Sequence, residues 1–115
     1  MDAVSAALIG KALDGLALRQ VMSAQNIANA NTPGYQAVGV SFEDALQSAA
    51  PLGMGAISRV SPQTQILPQS DLSGEMRLDL ELAKASQTAM RYSALIDVMS
   101  RQMAMTRSAV IPGGR

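Results

Sequence analysis

Asn26-Ile27-Ala28-Asn29-Ala30-Asn31-Thr32-Pro33-Gly34-Tyr35 decides how this chain is read, because it starts with helical spacing and ends in a hard stop. Its three asparagines are poor helix formers that compete for backbone hydrogen bonds. Thr32 precedes a proline and is pushed out of the α region. Pro33-Gly34 then reads as a turn. From the residues alone, the stretch is a helix C-terminus with amide caps, or amides that face another polar surface.

Upstream, Ile9, Leu13, Leu16, Gln20, Ser23, Ile27 and Ala30 step by three and four, which predicts an amphipathic helix with two polar interruptions. Leu18, Val21 and Met22 form a second apolar patch. Gly10 and Gly15 each cost about 1 kcal/mol relative to alanine inside a helix, so the first turns are expected to fray unless held. At the other end, Leu82, Ala85, Ala89, Tyr92, Ile96, Met99, Met103, Thr106 and Val110 form an unbroken heptad seam, widened on one flank by Leu95. Acidic Glu75, Asp79 and Glu81 precede basic Lys84, Arg91, Arg101 and Arg107, in the order the helix dipole favours. Ser73 and Asp79 are both candidate N-caps, and Pro112-Gly113-Gly114 is the expected stop.

Between the arms, Pro51, Gly53, Gly55, Pro62, Pro68 and Gly74 break any long pattern. A short helix is expected near 41–48, with Ser41 as its cap. The rest of 36–74 is expected to be flexible or ordered by a partner. The organisation predicted is therefore an N-terminal helix and turn motif (1–35), a connector (36–74), a C-terminal heptad helix (75–111) and a tail (112–115). The fold class is all-α: two long terminal helices packed as an antiparallel coiled-coil hairpin around an irregular Pro/Gly/Ser-rich middle.

Composition bounds the function. Of 115 residues 48% are hydrophobic, but nineteen are alanine and only 3% of residues are aromatic, which favours thin helix-on-helix packing over a thick core. Net charge is zero, which argues against a nucleic-acid or anionic-membrane footprint. Cysteine and histidine are absent, removing thiolate chemistry and the commonest general base and metal ligand. The close carboxylates Asp79 and Glu81 have no third ligand and read as solvated helix-start charges. We expect no enzyme activity, no cofactor, no metal and no small-molecule substrate. No apolar run is long enough for a transmembrane helix, and the N-terminus lacks the pattern of a cleaved signal.

Ser23 to Tyr35 resembles the N-terminal signature of bacterial flagellar axial proteins, the family of rod, hook and hook-associated proteins; Gln36 departs from it where the family often carries a basic residue. Val40-Ser41-Phe42-Glu43-Asp44-Ala45-Leu46, Leu82-Ala83-Lys84, Met90-Arg91-Tyr92-Ser93-Ala94-Leu95, Ser100-Arg101 and Arg107-Ser108-Ala109-Val110 resemble stretches of its short rod members. The resemblance points to the proximal-rod, type B subgroup: the connector is too short for the β-rich domain of distal-rod and hook relatives, and the neighbouring type C, the runner-up, has a C-terminal motif that differs from the Met90-to-Val110 pattern here. It implies a subunit exported by the flagellar type III apparatus without a cleaved signal. Such a subunit assembles with copies of itself, other rod proteins and the membrane-ring adaptor into the periplasmic drive shaft that transmits torque.

The residue roles expected on that basis are two. Asn26, Ile27, Asn29, Asn31, Thr32, Pro33, Gly34 and Tyr35 form a turn and interface motif. Leu82, Ala85, Ala89, Tyr92, Ile96, Met99 and Met103 pack on Ile9, Leu13, Leu16 and Ile27. The alternative is a soluble coiled-coil adaptor or export chaperone of a type III secretion system.

Overall fold

The structure is a computed structural model that describes residues 1–69 and 71–110, the side chain of Val110 excepted. Two helices dominate it: α1, Ala3–Ala28, and α4, Gly74–Val110. They pack antiparallel, with Met1 and Ala6 beside Met99 and Met103 at one end and Asn26 beside Glu81 at the other. At 37 residues, α4 is about 55 Å long, and it sets the long dimension of a molecule 62 × 31 × 15 Å across.

Both helices start on side-chain caps. Asp2 accepts the Ser5 N–H at 2.7 Å, and that N–H holds the Asp2 carboxyl below its ordinary value. At α4 the cap is Ser73, whose hydroxyl accepts from the Met76 N–H at 3.2 Å, so Ser73 rather than Asp79 begins the helix. The expected stop at Pro112-Gly113-Gly114 and the tail 112–115 lie outside the described residues.

The all-α expectation needs a correction. The molecule is mostly helical, but the connector contributes a two-stranded antiparallel sheet, β1 (Val38–Ser41) with β2 (Gln63–Ile66), paired from Val38 opposite Ile66 to Ser41 opposite Gln63. Between the strands run α2 (Glu43–Ala49), a 3-10 turn (Ala50–Leu52) and α3 (Met54–Ser58). Ser41 is the last residue of β1 and does not cap α2; Phe42 takes the cap position, with no side-chain cap hydrogen bond.

The connector is placed by a few apolar side chains. Val40 and Phe42 are buried against Leu16, with Ala12, Leu18, Met22, Leu46 and Leu95 packed around them. Ile57 is fully buried. The Phe42 ring lies against the backbone of α1 at Gly15, where an added Cβ would run into Phe42 Cδ1. The cost of a helical glycine is thus offset by the close approach it permits. Arg19 closes the same corner. Its guanidinium stands 4.9 Å from the Phe42 ring centroid, donates to both Glu43 carboxylate oxygens at 2.7 Å and donates to the Val40 carbonyl at 2.8 Å.

Candidate assembly interface

The helix end and turn are built from the sequence outward. Asn29 is the C-cap of α1; its backbone N–H and its Nδ2 both donate to the Gln25 carbonyl, at 3.0 and 2.9 Å. Its Oδ1 accepts from the Thr32 hydroxyl at 3.1 Å. The Tyr35 N–H donates to the Thr32 carbonyl at 3.2 Å across Pro33-Gly34, and Gly34 has φ +78°, which makes this a type II turn with proline and glycine in their favoured places.

Asn26 does something different. It sits inside α1, only 6% exposed, with all four of its amide hydrogen-bonding positions used. Its Oδ1 accepts from the Val38 N–H at 2.9 Å and the Tyr35 hydroxyl at 2.8 Å; its Nδ2 donates to the Val38 carbonyl at 2.9 Å and to Glu81 Oε1 at 3.0 Å. One amide therefore ties α1, the turn, the edge of β1 and α4 together. Glu81 is 8% exposed, which corrects the reading of it as a solvated charge; Asp79 does remain at the surface. Asn29, Asn31, Thr32, Pro33, Gly34 and Tyr35 line an open polar recess of about 340 Å³ with Arg77 and Glu81 of α4, so the turn motif borders the start of that helix. Ile27 is half-buried.

The helix faces meet in a different register from the apolar pattern. On α1, Leu16 is buried, and Ile9 and Leu13 are half-buried. On α4 the covered positions are Leu78, Glu81, Ala85, Thr88, Leu95, Met99 and Gln102. Ala85 and Met99 belong to the heptad stripe seen in the sequence. The other half of that stripe faces outward: Leu82 is 47% exposed, Ile96 40% and Met103 60%, with Ala89 and Tyr92 also exposed. The helix is turned by one residue, so that Glu81, Thr88 and Leu95 take the places of Leu82, Ala89 and Ile96. The cause is visible at two points. Glu81 is held by Asn26, and Leu95 is drawn onto the cluster of Leu16, Val40 and Phe42. Ser23 and Thr88, both buried, line the cleft between the helices.

Leu80, Met76, Met90, Val98 and Met105 are exposed as well, on another side of the same helix. Among the described residues no group of His, Cys, Asp or Glu could hold a metal ion, and no helix is long and apolar enough to cross a membrane.

Residues 10–36 match the family model described as flagella basal body rod protein. That match supports a flagellar rod protein family. The matched segment runs from Gly10 through the Asn26 hub and the type II turn, so it covers the part of α1 that receives both Phe42 and Glu81. The rod family is structural, and the match supports a structural role in the flagellar basal body rod. Among curated proteins, none matches. Sequence reasoning missed Arg19, Phe42, Glu81 and Thr88 as parts of the scaffold. A lone phenylalanine and a glycine inside a helix were the only local signals of the contact at Gly15.

Proposed function

We propose that this chain is a subunit of the flagellar proximal rod, of type B, which joins copies of itself and neighbouring rod proteins through its terminal helices. The observation that carries the reading is the stripe Leu82, Ala89, Ile96 and Met103, which the fold leaves partly exposed. A rod subunit that completes its apolar contacts only on assembly needs such a stripe. Burial on assembly supplies the stabilisation that the lone chain lacks. In this reading the subunit leaves the cell interior through the type III export apparatus without a cleaved signal, meets the membrane-ring adaptor in the periplasm and becomes part of the torque-transmitting shaft. The turn motif, Asn26 to Tyr35, fixes where the connector leaves α1 and so sets which side of the hairpin a neighbour can approach.

The test is genetic and structural. Deleting the gene should abolish rods in isolated basal bodies and stop motility, and the intact chain should restore both. Normal rods without the chain would refute the reading. An adaptor or export chaperone is the second reading, favoured by the self-contained cluster of Leu16, Val40 and Phe42. It requires a small closed oligomer at every concentration, whereas a rod subunit extends into larger assemblies, alone or with rod partners.

A further inference from the structure

The outward half of the stripe borders a specific groove. On the side of α4 that carries Ala89, an open recess of about 540 Å³ lies between Ala17, Val21 and Ala24 of α1 and Ala89 and Tyr92 of α4, floored by Leu16. A second recess of about 510 Å³ continues on that side near Met1, Ala6 and Met103. No charged side chain lines the first. A different side of the same helix bears a ridge: Met76, Leu80, Ala83, Gln87, Met90 and Ala94 step by four and three, all exposed and uncharged, over about 27 Å. The ridge ends where the Asp97–Arg101 ion pair begins.

We propose that the groove of one copy receives the α4 ridge of a second copy. This rests on the rod-subunit reading and names the surfaces it uses. Charge selects this occupant. Exposed Asp14 stands on the α1 lip, three residues before Ala17 and seven before Val21; exposed Lys84 and Arg91 flank the ridge on one side and exposed Asp79 and Asp97 on the other, so it is the basic flank of the ridge that meets this lip. Seating the ridge brings acid to base at the rim and keeps the centre apolar. Continuity supports it too, because Leu16 is at once the groove floor and part of the intramolecular core. Groove and ridge occupy different sides of one hairpin, so the contact is heterologous. Each docked copy presents a fresh groove or ridge, so the contacts run head to tail, and they extend into a helical array wherever the rotation between copies does not close a ring.

The chain contains no cysteine, so single introduced thiols report neighbours directly. Val21→Cys marks the groove and Met90→Cys marks the ridge; circular dichroism confirms that each variant keeps its helices. Under mild oxidation, a mixture of the two should give the mixed disulfide dimer in excess over either homodimer. The double variant should give a ladder of oligomers. Cross-linking confined to Val21→Cys homodimers, or no ladder while the unmodified chain still polymerises in sedimentation, overturns the groove-and-ridge contact and leaves the rod reading standing. An unmodified chain that stays monomeric alone and with rod partners overturns both.

Discussion

Asn26 and Glu81 are 55 residues apart in sequence and 3.0 Å apart in space, joined by an amide N–H donated to a carboxylate near the end of α1 and the start of α4. Replacing Asn26 with alanine removes four hydrogen bonds at once and strands the Val38 N–H and carbonyl. We expect a loss of about 2–4 kcal/mol in urea unfolding, set by the 1–3 kcal/mol cost of each buried polar group left unpaired. Asn26→Asp should cost more at neutral pH, because it sets a second carboxylate against Glu81 in place of a donor. Glu81→Gln keeps an acceptor for Nδ2 and should be the mildest of the three.

Gly15 and Gly10 should respond in opposite directions to alanine. At Gly15 the new methyl meets the Phe42 ring, so overpacking of about 1–3 kcal/mol outweighs the helix-propensity gain. At Gly10 nothing lies within 4 Å of the added carbon, so the substitution should stabilise by up to about 1 kcal/mol. Thermal unfolding of the two variants checks the pair. Equal shifts would mean that Phe42 does not press on α1.

Arg19 holds the Glu43 carboxyl below its ordinary value, chiefly by hydrogen bonding and against an opposing effect of burial. A depressed carboxylate stabilises the fold at pH above its unfolded value, and that contribution fades as the pH falls through the lower folded value. Glu43→Gln should therefore flatten the acid limb of the stability profile below about pH 4.3. At neutral pH the loss should be no more than about 1 kcal/mol, since half of the Glu43 side chain is exposed and solvent screens the pair.

Leu95 and Ile96 separate folding from assembly. Ile96 is 40% exposed, so Ile96→Asp should cost the monomer no more than about 2 kcal/mol while abolishing rods and motility. Leu95 packs on the core cluster, so Leu95→Asp buries a charge without a partner and should unfold the lone chain. Normal rods in the Ile96→Asp strain would remove the outward stripe from the assembly surface.

Gly34 tests the turn. Its φ of +78° strains any residue with a Cβ, so Gly34→Ala should cost about 1 kcal/mol even though the space around it is open. The same change should weaken rod incorporation by misdirecting Tyr35, whose hydroxyl donates to Asn26. Unfolding and basal-body yield measured together separate the two effects.

The sequence by itself determined the two long helices and the turn between Thr32 and Tyr35. Both are local: helical spacing needs only neighbours three and four apart, and a type II turn needs only proline and glycine in adjacent places. It also determined that α4 carries an apolar stripe. Only the tertiary structure decided which flank of that stripe turns inward. Period alone fixes a face to within about one residue on a helix, or roughly 100°. The choice between Leu82 and Glu81, or between Ile96 and Leu95, fell to contacts made from distant positions: Asn26 on Glu81, and the Phe42 cluster on Leu95. The sheet was hidden for the same reason. Four-residue strands with a Gly39 or a run of glutamine and threonine carry little signal of their own, and β1 is held at its free edge by the side chains of Asn26 and Arg19, which lie twelve and twenty-one residues before Val38 and Val40.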